Sequence, residues 1–177
     1  MRKNILIIFF TALSAFGHPH LFITAGIGPV VENGYLTGIE IQWKWGDWWS
    51  ADVISNCDYD GDGAFNDIET DAVYSDYFSN VKDFNFFMKL FVNGKTIKPD
   101  IVDEFAAEID ADKKVTYRFI VPCLVRIENE IKVNVLFSDQ TNYVAFSRRI
   151  EKTGNFRENL KEFKRECIFL SVNSAAA

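Results

Sequence analysis

The chain has 177 residues, 48% of them hydrophobic and 25% charged. That balance excludes a disordered polar chain and a membrane-embedded bundle, and the length suits one domain with its own core. A net charge of −6 without a basic stripe argues against nucleic acid as a partner and makes metal cations easier to accept.

The chain opens with Arg2 and Lys3, followed by an almost unbroken apolar run from Ile5 to Phe16. Ala15 and Gly17 are the small residues at the −3 and −1 positions of a cut before His18. This is the pattern of a secretory signal peptide over residues 1–17. The alternative is a membrane anchor, but the run falls short of the roughly 20 residues that span a bilayer. With no second apolar run of that length, residues 18–177 are expected to be extracytoplasmic, periplasmic or secreted, and not membrane-spanning.

Cleavage there leaves His18-Pro19-His20 at the new terminus, and these are the only two histidines in the chain. A terminal His can chelate through its α-amine and its ring together, and His20 can add a second ring. Pro19 has no amide hydrogen, which argues against wrapping of copper by deprotonated backbone amides.

Leu21 to Val31 and Thr37 to Trp45 read as strands. In the second, Ile39, Ile41, Trp43 and Trp45 alternate with Glu40, Gln42 and Lys44, the period of a half-buried strand. Asn33-Gly34 between them favours a tight hairpin turn. A two-residue turn pairs Glu32 with Tyr35 and, carried down an unbroken ladder, His20 with Asp47. That register would bring a carboxylate beside the histidines, as ligand or as orienting partner; one bulge would break it.

Helical spacing follows. Asp47 can cap a helix reaching about Asn56. A second helix from about Asn66 to Val81 places Val73, Tyr77 and Val81 on one stripe, with Tyr74 and Phe78 beside it. From Phe84 onward strands resume: Phe86 to Val92 with a turn at Asn93-Gly94, Val102 to Ile109 with a turn at Asp110 to Lys113, then Val115 to Val121, Ile131 to Phe137 and Tyr143 to Ile150. Leu160 to Val172 reads equally as helix or strand. Seventeen Phe, six Tyr and four Trp fit a strand-rich chain. The predicted fold is mainly β (α+β): an antiparallel β-sandwich with an inserted EF-hand-like helix-loop-helix at about 47–81, after the first hairpin. Three cysteines, Cys57, Cys123 and Cys167, leave at least one thiol without an intrachain partner.

The segment from Asp58 to Glu69 fits the EF-hand calcium loop position by position. Calcium takes six to eight oxygens. Asp58, Asp60 and Asp62 supply carboxylates at positions 1, 3 and 5, and Gly63 permits the turn at position 6. Ala64 offers its carbonyl at position 7, Asn66 acts at position 9, and Glu69 closes the shell with two oxygens at position 12. Sensor hands come in pairs and open Met-rich grooves. One hand and two Met point to a structural calcium instead.

His18-Pro-His20-Leu-Phe-Ile, the strand Leu36-Thr-Gly-Ile-Glu-Ile-Gln-Trp43, Trp45-Gly-Asp-Trp-Trp-Ser50 and the Asp58–Glu69 loop occur in an order that resembles domain-of-unknown-function family 1007. Phe137-Ser-Asp139-Gln-Thr-Asn-Tyr143 resembles its later motif. Members are described as periplasmic components of transport systems and often accompany nickel/cobalt-type permeases. The resemblance therefore implies an accessory of a membrane metal permease. It also adds Asp139 to His18, His20 and Asp47 as transition-metal ligands.

The leading expectation is a non-enzymatic binding protein holding zinc, nickel, cobalt or copper outside the cytoplasm, braced by calcium. One alternative is a copper-dependent oxidative enzyme that uses the terminal His chelate, with Trp43, Trp45, Trp48 and Trp49 as a substrate platform. Those tryptophans read more simply as core. Another is an adhesin-like interaction module stabilised by calcium.

Overall fold

The computed structural model describes residues 21–128, 130–139, 143–148 and 167–172. The signal segment, His18, His20 and the first part of the Leu160–Val172 segment lie outside them.

The chain begins with the expected hairpin, β1 (Leu21–Glu32) and β2 (Tyr35–Trp45), turning through Asn33 at φ 50° and Gly34 at φ 77°. Alternation in β2 is as the sequence requires: Ile39, Ile41, Trp43 and Trp45 are buried, while Glu40, Gln42 and Lys44 are partly exposed. Two helical segments follow, α1 (Asp47–Cys57) and α2 (Asp67–Val73). The remaining strands are β3 (Met88–Val92), β4 (Lys95–Ile97), β5 (Asp103–Ile109), β6 (Val115–Arg126), β7 (Ile131–Phe137), β8 (Val144–Arg148) and β9 (Cys167–Val172). One sheet has the order β5-β6-β2-β1-β8 and the other β4-β3-β7-β9, a mainly β, α+β architecture with the helices after the first hairpin. β9 decides the ambiguous last segment in favour of strand, and β4 is too short to carry a periodic signal.

The two sheets share one core. Trp43 is fully buried in it, with Phe119 at 5.0 Å and Phe78 at 6.0 Å between ring centroids. Phe137 of the second sheet stacks on Phe146 of the first at 5.5 Å. Burial of this many large rings is the main stabilising term, since each removes 150–250 Å² from water.

Four expectations are corrected. First, the sandwich is not wholly antiparallel: β8 runs parallel to β1, with Leu21 opposite Val144 and Ala25 opposite Arg148. Second, the hairpin register is interrupted. Glu32 faces Tyr35 and Val31 faces Leu36, but the ladder then shifts so that Val30 faces Gly38 and Ile23 faces Trp45. A bulge at Thr37 absorbs the extra residue. Gly38 is needed there, because a Cβ would lie 2.5 Å from Ile120 Cγ2. The premise that paired His20 with Asp47 therefore fails.

Third, Asp47 does not cap α1. Gly46 is the N-cap, its amide donating to the Phe22 carbonyl at 2.8 Å, and Asp47 is the first helical residue. Fourth, the second helix does not keep its 3.6-residue stripe. After α2 the chain makes a π-helical turn over Tyr74–Phe78 and then a 3-10 segment over Ser79–Phe87. A π turn inserts one residue into the helical phase. Val73 and Phe78, five apart, thereby become the buried pair, while Tyr77 and Val81 are only half-buried. The segment ends with Asn85, Phe86 and Phe87 all at positive φ (51°, 49° and 49°).

Candidate metal centre

The loop between α1 and α2 is built from short-range bonds that its aspartates make unavoidable. The Asp58 amide donates to the Ile54 carbonyl at 3.1 Å and ends α1. Asp60 Oδ1 accepts from the Asp62 amide at 3.1 Å, and Asp62 Oδ1 from the Ala64 amide at 2.8 Å. These are the two-residue Asx turns that aspartate favours over helix or strand. Gly61 and Gly63, at φ 70° and 85°, supply the left-handed backbone between them.

Asn66 caps α2, its Oδ1 accepting from the Glu69 amide at 3.1 Å while Glu69 Oε2 accepts from the Asn66 amide at 2.9 Å. This reciprocal box starts the helix, and it turns the Glu69 carboxylate inward. There Glu69 Oε1 accepts from the amides of Tyr59 at 2.7 Å and Asp60 at 3.4 Å. Glu69 is 1% exposed. The amide bond from Asn66, helped by those from Tyr59 and Asp60, outweighs burial and holds the carboxyl below its ordinary value.

The loop brings Asp58, Asp60 and Glu69 together, with one carboxylate oxygen of each within 4.8 Å of the others. Asp58 Oδ2 accepts from the Gly63 amide at 3.2 Å, but Asp58 Oδ1 is buried without any hydrogen-bond donor. Asp62 is exposed and outside this group, its Oδ1 taken by the Ala64 amide. Among the described residues no lysine or arginine pairs with these carboxylates. Lys113 approaches the loop, its Nζ lying 2.9 Å from where a Cβ on Gly63 would stand. Three converging carboxylates, one with an orphaned buried oxygen, fit a hard, oxygen-seeking divalent cation such as calcium. Asp58, Asp60 and Glu69 would hold it; Asp62, the Ala64 carbonyl and Asn66 are the further ligands that the loop pattern assigns. The ion would supply charge neutralisation and a brace between α1 and α2. Cys57, next to the loop, is buried; burial first, then Asp76, Asp52 and Glu69, push its thiol up, so it offers no thiolate.

Of the transition-metal candidates, His18 and His20 lie outside the described residues. Asp47 is exposed at the start of α1 and forms an ion pair with Lys114. Asp139 follows β7, its Oδ2 accepting from the amides of Tyr143 at 3.0 Å and Val144 at 2.9 Å. The Leu21 amide donates to the Tyr143 carbonyl at 3.1 Å, and Leu21 and Asp139 line one cavity. The fold therefore draws the start of β1 to Asp139, through the parallel β1–β8 pairing that the sequence did not signal.

The tryptophans divide. Trp43 and Trp45 are core, Trp49 is half-buried and stacks on Trp45 at 4.9 Å, and Trp48 is 65% exposed. No described helix is long and apolar enough to cross a membrane.

The model of the family described as "Protein of unknown function (DUF1007)" matches residues 4–173. An "uncharacterized 15.5 kDa protein in trpE 3'region" of Spirochaeta aurantia is 33% identical over 89 residues, which are 50% of this chain and 63% of that relative. The chain thus matches less than two thirds of the relative's length. No solved structure matches.

Proposed function

We propose that this chain, which belongs to the DUF1007 family, is an extracytoplasmic binding protein whose helical insert is braced by a calcium ion in an EF-hand-type loop. The observation that carries the calcium reading is the buried Asp58 Oδ1 without a donor, beside the buried Glu69 carboxylate and Asp60. A bare carboxylate oxygen out of water is costly, and a coordinated cation removes that cost. The basic start at Arg2 and Lys3 and the apolar run after it support export. Titration calorimetry with calcium tests the loop: millimolar or tighter binding is expected, and heat-silent titration into the folded protein would refute it.

A transition-metal site in the same protein, serving a membrane metal permease, is the second part of the reading. It is supported by the approach of Leu21, the residue after His20, to Asp139. The mature protein should bind zinc, nickel, cobalt or copper more tightly as pH rises through about 6.5, where imidazole loses its proton. The combined His18→Ala and His20→Ala protein should lose that binding and keep calcium. Equal affinities in the double variant and the parent would exclude the site.

A further inference from the structure

The turn between β5 and β6 reaches the Asp58–Glu69 loop, and its own shape is fixed from several sides. Asp110 closes it: its Oδ1 accepts from the amides of Asp112 and Lys114, and its carbonyl accepts from the Lys113 amide, all at 2.9 Å. Lys44 of β2 donates to Asp110 Oδ2, and Lys114 pairs with Asp47 at the start of α1. Next to the turn, the Val115 amide donates to Ser50 Oγ at 3.0 Å, and Ser50 Oγ donates to the Trp45 carbonyl at 3.3 Å. Ser50 is fully buried, so this link ties α1 to β6 out of water.

Lys113 is the residue that this turn sends to the loop. It is held at φ 58°, a left-handed backbone that is costly for any residue but glycine. Its Nζ lies 2.9 Å from where a Cβ on Gly63 would stand, and apart from Gly63 and its chain neighbours no other atom comes within 4 Å of that point. Gly63 is position 6 of the loop, and its amide donates to Asp58 Oδ2 at 3.2 Å. The ammonium thus stands one residue away from a converging carboxylate. It is nevertheless beyond ion-pair distance of all of them, and among the described residues it makes no ion pair or hydrogen bond. Lys44 and Lys114, which flank it in space, each have an aspartate of their own; Lys113 has none.

A positive charge beside a cation site, but not part of it, acts twice in the same direction. While the site is empty it is drawn to the carboxylates, and once a cation is bound it is repelled. Both effects oppose binding. We infer that Lys113 is a tethered positive charge that lowers the cation affinity of the Asp58–Glu69 loop and makes that affinity depend on ionic strength. The inference rests on the calcium reading of the loop and adds to it a residue outside the twelve that sets how tightly the site binds.

The test is calorimetric titration of the parent protein, Lys113→Met and Lys113→Arg with calcium and with terbium(III), at about 0.01 M and about 1 M salt. Methionine keeps the length and apolar stem of lysine and removes its charge; the side chain is exposed, so the core is not disturbed. At low salt, where charges are felt over about 30 Å, Lys113→Met should bind calcium roughly three- to tenfold more tightly than the parent. At high salt, where that reach falls to about 3 Å, the two should agree within about twofold. The gain should be larger for terbium, because repulsion grows with the charge of the ion, whereas an altered loop shape would move two ions of similar size alike. Lys113→Arg keeps the charge and should stay within about twofold of the parent. Equal calcium affinity of Lys113→Met and the parent at low salt, a gain that persists at high salt, a gain no larger for terbium, or an Arg variant that matches the Met variant would each overturn the inference and leave the calcium site standing. A parent protein that binds neither ion would refute the calcium reading itself, and this inference with it.

Discussion

Asp58 opens one acidic turn and Asp110 another, and the two dispose of their charge in opposite ways. Asp110 begins the turn between β5 and β6, where its Oδ1 accepts from the amides of Asp112 and Lys114, both at 2.9 Å. Its Oδ2 takes Lys44 Nζ at 2.5 Å, so a side chain supplies the cation. The lysine bond first, then the Lys114 amide, hold the Asp110 carboxyl low. In the Asp58–Glu69 loop the amides are used in the same way, but no lysine or arginine among the described residues completes the pairing. The lesson is that backbone amides can orient a carboxylate in either turn, whereas what neutralises it must come from elsewhere: β2 supplies it to Asp110, and the proposed calcium would supply it to the Asp58–Glu69 loop.

The strongest way to break this contrast is Glu69→Gln. Calcium affinity in calorimetry should fall by at least about a hundredfold, since a ligating oxygen pair loses its charge. An unchanged affinity would mean that the loop is neutralised by something other than calcium at Glu69. Next in size is the effect of the ion on the intact protein. Calcium at about 100 times its Kd should stabilise by about 2.7 kcal/mol. For a chain of this length that raises Tm by roughly 5–10 °C in calorimetric scans.

Gly63→Ala should cost about 1–2 kcal/mol in calcium-free chemical unfolding, because Gly63 sits at φ 85°. Lys113 must also shift to admit the new Cβ. The same change at Gly34, equally left-handed but remote from the loop, should leave calcium affinity untouched.

Glu69 also makes the stability of the calcium-free protein depend on pH. Glu69 is held below its ordinary 4.5 in the folded protein, so the native state binds fewer protons than the unfolded one. Its contribution is fully present above 4.5 and is lost as pH falls through the lowered native value. Calcium-free unfolding midpoints should therefore drop with acid below 4.5, and less steeply in Glu69→Gln. The smallest effect belongs to Lys44→Met. Both partners of that pair are about one-third exposed, so its loss should cost at most about 1 kcal/mol in urea unfolding, with no change in calcium affinity.

Local chemistry made much of this protein legible in its sequence. Asn33-Gly34 and the alternation from Ile39 to Trp45 determine the first hairpin, and Asn66 with Glu69 determines where α2 starts, because each rests on contacts a few residues apart. The aspartates and glycines of the loop determine its turns for the same reason. What they do not encode is summed over distance. The bulge at Thr37 shifts β2 against β1, beside an irregularity in its pairing with β6, and it removes the facing of His20 and Asp47 that a regular ladder implies. The π turn at Tyr74–Phe78 exchanges Tyr77 for Phe78 as the buried ring because Phe78 meets Phe105 at 4.5 Å and Phe119 at 4.9 Å. The parallel pairing of β8 with β1 joins residues more than a hundred positions apart, and it draws Asp139 to Leu21. Short-range hydrogen bonding and side-chain periodicity determined the elements and the loop; side-chain packing between strands far apart in the chain decided which residues share a site, since only the assembled core sets those distances.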